Sequence, residues 1–127
     1  MIVYCFRAVP GVCKVGQYGP NNVNNGPYIH LGFAPRWLLI KCLATTNGWI
    51  IYDNVRDSVC PATQYLLAND DATEGTGTSG REIDFLSDGF KIRENDSDIN
   101  GGTANDYIYL AMAEIGGGGT LPPIYGR

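Results

Sequence analysis

The sequence is poor in charged residues and has no basic cluster. Charged residues make up 17% of the 127 residues, with 9 Lys and Arg against 13 Asp and Glu, and the net charge is −4. A chain that neutralised nucleic-acid phosphates would show a stripe of Lys and Arg. A disordered acidic chain would contain fewer apolar residues than the 44% found here. The composition therefore excludes a disordered acidic tail and predicts no nucleic-acid partner.

Long apolar runs and a secretion signal are also missing. Apolar runs such as residues 37–40 (WLLI) are far too short to span a bilayer. Residues 1–11 (MIVYCFRAVPG) lack the basic start and the long apolar stretch of a signal peptide. We therefore expect no membrane partner and, for an extracellular mature protein, export by another route.

Metal-binding spacings are absent from the cysteine and histidine residues. The chain has 1 His and 4 Cys, at positions 5, 13, 42 and 60, and these gaps match no zinc pattern. Two disulfides would allow three connectivities. The alternative, which we favour, is that some or all of Cys5, Cys13, Cys42 and Cys60 are small buried apolar residues in strands. The chain has enough apolar residues to fold without crosslinks.

The residues that are abundant predict an all-β domain. The 17 Gly would destabilise helix interiors by about 1 kcal/mol each, and the length suits one domain. Short runs of β-forming residues instead alternate with Gly, Asn and Asp turns, and Thr46-Asn47-Gly48 indicates a hairpin. In residues 90–94, Phe90 and Ile92 are expected to face the core, and Lys91 and Arg93 the solvent. The predicted strands are residues 2–8, 13–18, 28–33, 37–44, 49–53, 64–69, 82–86, 90–94 and 107–114. About nine short strands with little or no helix are typical of an antiparallel sandwich or jelly roll.

The ends of the chain differ from its middle. Residues 1–115 form the predicted domain, and residues 116–127 read as a Gly-rich linker followed by an extended C-terminal arm. Residues 3–11 echo residues 108–117, with Tyr4 on Tyr109 and Ala8 on Ala113. This echo predicts that residues 1–11 are the last strand of a preceding repeat-like unit. Such a strand would pair within the domain or on the sheet edge of a neighbouring subunit.

Four segments, in order, resemble a known family. They are GPYIHLGFAPRWLLIKC (26–42), GWIIYDNVR (48–56), IDFLSDGFKIR (83–93) and NDYIYLAMAE (105–114). Together they resemble the concanavalin-like (lectin/glucanase-type) sandwich domains of tail-fibre and other structural proteins of tailed bacteriophages. The resemblance implies a jelly-roll sandwich and a role in the virion, often in repeated copies along a fibre.

A glucanase-type fold raises the question of catalysis. The resemblance implies an E-x-D-x-(x)-E strand, whose carboxylates would serve as nucleophile and general acid about 5 Å apart. Glu82 and Asp84 supply the first two carboxylates, but position 87 is Ser. A strand with a solvated polar face explains these residues better, so we predict no catalytic residues and no enzyme.

Two groups of residues are candidates for a binding site. Asp96, Asp98 and Asn100 fit the opening of a calcium loop, D-x-[DN]-x-[DN]-G, and Asp106 could complete it because position twelve is Tyr107. An ordinary polar hairpin is the alternative, and we expect no obligatory cofactor. The aromatic residues Trp49, Tyr52 and Tyr28, with Asn22 and Asn24 in a polar loop, form the predicted glycan site. Trp37 is expected in the core, and His30 is expected to be structural. Trp49 begins a strand beside a turn and is expected to be partly exposed.

These observations predict a non-enzymatic virion protein that is a tail-fibre or tail-associated module. It would assemble with copies of itself and other virion proteins in the host cytoplasm. Loops 19–27, 70–80 and 95–106 would contact host-surface glycans or neighbouring proteins, with multivalency strengthening weak single sites. The main alternative is a capsid decoration or cement protein with a purely structural role, and a glycoside hydrolase is the remote alternative.

Overall fold

The computed structural model describes residues 1–76, 80–102 and 107–114. These residues form eight β-strands and no helix, so the all-β prediction is confirmed with one strand fewer than expected. Within the same ranges, no helix long and apolar enough to cross a membrane is present. The strands are β1 (Cys13–Tyr18), β2 (Tyr28–His30), β3 (Pro35–Cys42), β4 (Trp49–Asp53), β5 (Leu66–Leu67), β6 (Ile83–Leu86), β7 (Gly89–Ile92) and β8 (Tyr107–Ala113).

The strands form two antiparallel sheets. The larger sheet has five strands in the order β1-β8-β3-β4-β5, and the smaller has three in the order β2-β7-β6. The predicted hairpin at Thr46-Asn47-Gly48 joins β3 to β4, and Ser87-Asp88 joins β6 to β7. Strand β8 pairs with both β1 and β3, so the last described strand lies inside the larger sheet.

Both sheets contribute to one apolar core. Leu38 and Ile40 of β3 are fully buried, as are Phe90 and Ile92 of β7, and all four belong to the same core cluster. Lys91 and Arg93 remain partly or fully exposed, so the predicted alternation of this strand is confirmed. Each fully buried large apolar side chain contributes roughly 1.5–3 kcal/mol to stability.

Tyr18 connects the sheets near the end of β1. Its ring stacks on Tyr107 at 5.1 Å and 12°. It also meets Phe90 of the smaller sheet edge-on, at 6.2 Å and 78°. The Tyr18 hydroxyl donates to the Ile99 carbonyl oxygen at 2.7 Å, which satisfies the polar end of a buried ring.

The prediction of a strand over residues 2–8 is wrong. Residues 1–8, which we call the N-terminal arm, have no strand pairing, and only Val9 forms an isolated antiparallel bridge, with Cys13. Residues 10–12 form a turn, with Gly11 at φ +73°, that connects the arm to β1. Beyond the Val9–Cys13 bridge the arm does not run along the edge of β1. The residues of the arm favour a β-strand, but a strand also needs a neighbouring strand to pair with.

Several other predicted strand boundaries change. The strand predicted over 28–33 ends at His30, because the Leu31 and Gly32 N–H groups both donate to the Asp88 carbonyl oxygen. The strand predicted over 64–69 shortens to Leu66–Leu67. The predicted C-terminal segment 116–127 lies outside the described residues.

The four cysteines are unpaired and differ in burial. Cys42 is fully buried, in agreement with its predicted role as a small apolar strand residue. Cys13 is partly buried, whereas Cys5 and Cys60 are exposed. Some of the cysteines are therefore buried as predicted, fully for Cys42 and partly for Cys13, whereas Cys5 on the arm and Cys60 are not.

Candidate binding surface

The five-stranded sheet carries apolar residues on the side that faces away from the core. Alternation along β3 directs Leu38 and Ile40 inward, so Leu39 points outward. The outward positions of the whole sheet include Val15, Trp37, Leu39, Trp49, Ile51, Leu66, Ile108, Leu110 and Met112, which we call the outer face. The solvated side of an antiparallel sheet is usually polar. An apolar outer face therefore indicates a surface that another group covers.

The N-terminal arm covers part of this surface but does not fill the space beneath it. A cavity of 530 Å³ lies between the arm residues Tyr4 and Phe6 and the outer-face residues. Tyr4 remains 81% exposed and Phe6 56% exposed, so neither aromatic ring is well packed. By contrast, Leu110 beneath the arm is only 7% exposed. The cavity has the size of a small-molecule site, but its lining is almost wholly apolar.

Among the described residues that line this cavity, Lys41 alone is charged. Its ammonium group donates to the Thr45 carbonyl oxygen at 3.0 Å and to the Asn47 carbonyl oxygen at 2.6 Å. The charge is therefore engaged by the β3–β4 turn instead of being aimed at a ligand. Trp49 lies opposite Lys41 in the β3–β4 register and is 41% exposed at the rim of the cavity. The partial exposure predicted for Trp49 is confirmed.

A second, shallower cavity of 450 Å³ lies elsewhere on this side of the sheet. Its lining includes Arg36, Trp37, Asp53 and Met112. Trp37 pairs with Asp53 across β3 and β4 and is only partly buried, so its expected place in the core is wrong. A register shift between Pro35 and Trp37 accompanies this outward placement.

The predicted aromatic site is not assembled. Tyr52 is fully buried and its hydroxyl donates to the Arg81 carbonyl oxygen at 2.8 Å, which removes it from any surface site. Tyr28 is 46% exposed but lies on β2 of the smaller sheet. Trp49 is therefore the only residue of this aromatic trio that lines the apolar cavity.

Tyr28 belongs to a small polar cluster with the chain's histidine. Its hydroxyl lies 3.2 Å from His30 Nδ1, and the same nitrogen lies 3.6 Å from the Asp88 carboxylate. Desolvation and a hydrogen bond with Asp88 raise the pKa of the Tyr28 hydroxyl. Lys14 from the larger sheet donates to the His30 carbonyl oxygen at 2.7 Å. The Lys14 contact joins β1 to the backbone of β2, while the exposed His30 ring contacts Tyr28 and Asp88 at the surface of the smaller sheet.

The two predicted asparagine ligands lie in the exposed loop between β1 and β2. Asn22 has a left-handed backbone at φ +57°, and its side-chain amide donates to the Gly102 carbonyl oxygen at 2.7 Å. Asn24 is also exposed. Neither residue lines either of the two cavities on the outer face. The Asn22 contact holds this loop against the loop after β7.

Arg81 forms ion pairs with two residues of the predicted calcium loop. The Arg81 guanidinium lies 2.5 Å from the Asp98 carboxylate and 3.5 Å from that of Asp96. Burial raises the pKa of Asp98, and the neighbouring Asp96 adds to the rise, while Arg81 opposes it. The positive charge that the sequence pattern assigned to calcium is thus supplied by Arg81. Among the described residues, no group of three or more His, Cys, Asp or Glu could hold a metal ion.

The Asn100 side chain stabilises the fold through hydrogen bonds to neighbouring segments. Its Nδ2 atom donates to Asn21 Oδ1, the Val23 carbonyl and the Glu94 carbonyl, at 2.9 to 3.1 Å. Its Oδ1 atom accepts from the Asn21 backbone N–H at 2.9 Å. Every polar atom of this fully buried side chain is therefore used by neighbouring loops. Asp106, the fourth predicted ligand, lies outside the described residues.

Asp84 and Glu82, which carry the two carboxylates of the incomplete glucanase motif, both contact Arg93, Asp84 through its side chain and Glu82 through its backbone. Asp84 lies opposite Lys91 in the β6–β7 register, and its carboxylate is 3.5 Å from the Arg93 guanidinium. Glu82 precedes β6, and its carbonyl oxygen accepts from the Arg93 backbone N–H at 2.9 Å. Arg93 thus pairs with both the side chain of Asp84 and the backbone of Glu82.

Sequence reasoning missed most of the outer face. The predicted binding site includes none of Leu39, Ile108 and Met112, although all three lie on predicted strands. The relevant signal was present in WLLIKC and YIYLAMA, where apolar residues occupy both alternating sets of positions. In a two-sheet protein only one of these sets can face the shared core.

Comparison with known proteins identifies the family but no function. The chain matches, over residues 1–115, the family model described as a domain of unknown function, DUF7483. It therefore belongs to this family. No curated protein and no solved structure matches the chain.

Proposed function

We propose that the chain is a non-enzymatic structural protein of a bacteriophage virion. Its fold is a jelly-roll sandwich of the concanavalin-like type, and its outer face binds neighbouring virion proteins. It is assembled in the host cytoplasm and becomes extracellular with the mature particle. The observation that carries this proposal is the apolar outer face with its 530 Å³ cavity.

The chemistry of this surface favours a protein partner over a sugar. Glycans need several hydrogen-bonding side chains beside an aromatic platform. Of the described residues lining the cavity, Lys41 alone is charged, and its ammonium group is already engaged by backbone carbonyl groups. Partly or fully exposed apolar side chains such as Leu66 and Met112 extend the surface beyond the cavity. Protein interfaces with apolar centres and polar rims have this composition.

The four family-like segments support the virion context. They include β3, β4, the β6–β7 hairpin and β8, which form most of both sheets. Their inward residues share one core, as the two layers of a sandwich require. A role in the tail and a role as capsid decoration are both consistent with this arrangement.

Host-glycan binding is the second candidate function. The exposure of Trp49 and Tyr28 favours it, since exposed aromatic rings are common in sugar-binding sites. A glycan array probed with the purified chain tests it. Binding that disappears in Trp49→Ala or Tyr28→Ala, but not in Val59→Ala, would support this candidate. Absence of binding to every glycan on the array would favour the purely structural role.

Mass spectrometry of purified particles tests the main proposal. Particles from cultures that express the gene are separated on a density gradient and compared with the free protein fraction. We expect the chain in the particle fraction at a fixed ratio to the major virion proteins. A chain found only in the free fraction would overturn the proposal.

A further inference from the structure

The N-terminal arm and the free edge of β1 are two unpaired elements with matching properties. Strand β1 is at the end of the five-stranded sheet, and among the described residues no strand lies on its other side. The arm has the composition of a strand but has no strand partner. We propose that the arm of one copy pairs with the β1 edge of a second copy, and that two copies exchange their arms.

The Val9–Cys13 bridge fixes which backbone groups of β1 face the free edge. Val9 N–H donates to the Cys13 carbonyl at 2.9 Å, and Cys13 N–H donates to the Val9 carbonyl at 3.0 Å. Backbone groups alternate in direction along an antiparallel strand, so those of Val15 and Gln17 face the same way. Both residues are exposed. The edge therefore offers a row of donors and acceptors to an incoming strand.

The length and sequence of the arm fit this edge. Residues 2–8 span about 23 Å when extended, and the 6 residues of β1 span about 20 Å. Neither segment contains proline or an acidic residue, and Lys14 is the only charge on β1. Proteins usually protect an exposed edge with Pro or with charged residues, above all Lys. On β1 Lys14 is the one such residue, and its ammonium group is engaged by the His30 carbonyl oxygen, so most of the edge is open to pairing.

In its own chain the arm does not follow β1. The Cys13 thiol donates to the Arg7 carbonyl oxygen at 3.1 Å, and the arm then crosses to the outer face. The connection between Val9 and Cys13 has three residues, and short hinge loops favour exchange between copies. In a reciprocal exchange, the backbone groups of both arms and of both β1 edges form hydrogen bonds. The resulting dimer is closed and has twofold symmetry.

The exchange would bury enough surface for a stable dimer. Met1, Ile2, Val3, Tyr4 and Phe6 are each more than half exposed in the single chain. If each arm buries roughly 400 Å² and covers a similar area on the receiving copy, two arms bury roughly 1,600 Å², the size of a specific interface. The inference rests on the proposed function, since arm exchange is one way in which a virion protein joins copies of itself.

A designed disulfide tests the exchange in the full chain. If pairing continues from Val9–Cys13, Cys5 lies opposite Gln17, and the Cα atoms of such a pair are about 5.5 Å apart, within the range of a disulfide. The variant carries Gln17→Cys, with Cys13→Ser and Cys60→Ser to remove competing thiols. Oxidised glutathione is the oxidant. We expect most of the chain to run at twice 13.8 kDa on a non-reducing gel, and the matched variant with Cys5→Ser to remain a single chain.

A second pair of variants tests the edge itself by light scattering. Val15→Pro removes a backbone N–H group that points to the free edge of β1 and not to β8. An edge strand tolerates proline at such a position. We expect the wild type and Val15→Thr to be dimers and Val15→Pro to be a folded monomer with an unchanged circular dichroism spectrum. A disulfide within one chain, no disulfide at all, or a Val15→Pro dimer would overturn the exchange. These measurements use the purified chain, so their failure leaves the particle test of the proposed function intact.

Discussion

Tyr109 of β8 lies directly opposite Gly16 of β1, and its ring occupies the space that a Cβ atom at position 16 would need. The two residues are direct partners in the β1–β8 register. A Cβ atom built on Gly16 would lie 2.5 Å from the Tyr109 hydroxyl oxygen and 2.7 Å from the ring carbon that bears it. The glycine therefore admits a large aromatic side chain at the edge of the core, beside the strand that we propose to accept the exchanged arm.

Gly16→Ala is expected to destabilise the fold by about 1–3 kcal/mol, because an added methyl group overpacks this contact. Urea unfolding followed by fluorescence measures the change in free energy. Gly19→Ala is the matched control, since a Cβ atom there meets nothing within 4 Å. Equal stability of the two variants would contradict the packing argument.

Calcium is expected to leave the thermal unfolding of the wild-type chain unchanged. Arg81 already pairs with Asp96 and Asp98, and the Asn100 amide is fully used by neighbouring loops. Differential scanning fluorimetry with and without millimolar calcium checks this. A stabilisation by calcium that disappears in Asp98→Asn would show that the loop is a calcium site after all.

Removing the arginine is expected to cost about 2 kcal/mol. Arg81→Met leaves two carboxylates close together, one of them on the largely buried Asp98, without their counter-charge. The double variant Arg81→Met with Asp98→Asn should recover part of the loss, because it also removes one of the unpaired charges. Chemical unfolding of the wild type and the two variants measures these changes. An equal loss in both variants would contradict the assignment of the loss to an unpaired charge on Asp98.

Acid is expected to weaken the fold through Asp57. Burial opposes ionisation of this carboxylate, but hydrogen bonds from the Gln64, Thr63 and Val59 N–H groups outweigh it and lower its pKa. A lowered folded-state pKa gives stability that is present above the unfolded value, about 3.9, and is lost as pH falls through the folded value. Urea unfolding between about pH 2 and 7 should therefore show a steeper acid loss for the wild type than for Asp57→Asn. Parallel curves would exclude Asp57 as the cause.

The sequence predicted the elements that depend on local chemistry. Asn47 and Gly48 form the turn between two β-rich runs, so the β3–β4 hairpin could be identified without tertiary information. The N-terminal arm has equally strong β-forming residues, but its state depends on a partner strand that composition does not specify. Propensity therefore predicted the β3–β4 hairpin correctly and predicted residues 2–8 incorrectly.

The candidate site was only partly predictable for a similar reason. Trp49 was identified because it begins a strand beside a turn. Tyr52 lies three positions further along the same strand, so alternation places it on the opposite face, inside the core. Arg81 was missed because its pairing with Asp96 and Asp98 joins segments that only the folded chain brings together.

Incorporation of outer-face variants into virus particles tests the central claim most directly. A phage that lacks the gene is complemented with wild-type, Leu66→Glu, Met112→Glu or Val59→Glu chains, each first shown to be folded by circular dichroism. All three substituted residues are exposed, and Leu66 and Met112 lie on the outer face, whereas Val59 lies in the segment between β4 and β5. We predict that particles contain the wild-type and Val59→Glu chains and lose at least most of the Leu66→Glu and Met112→Glu chains. Equal incorporation of all four would contradict an assembly role for the outer face.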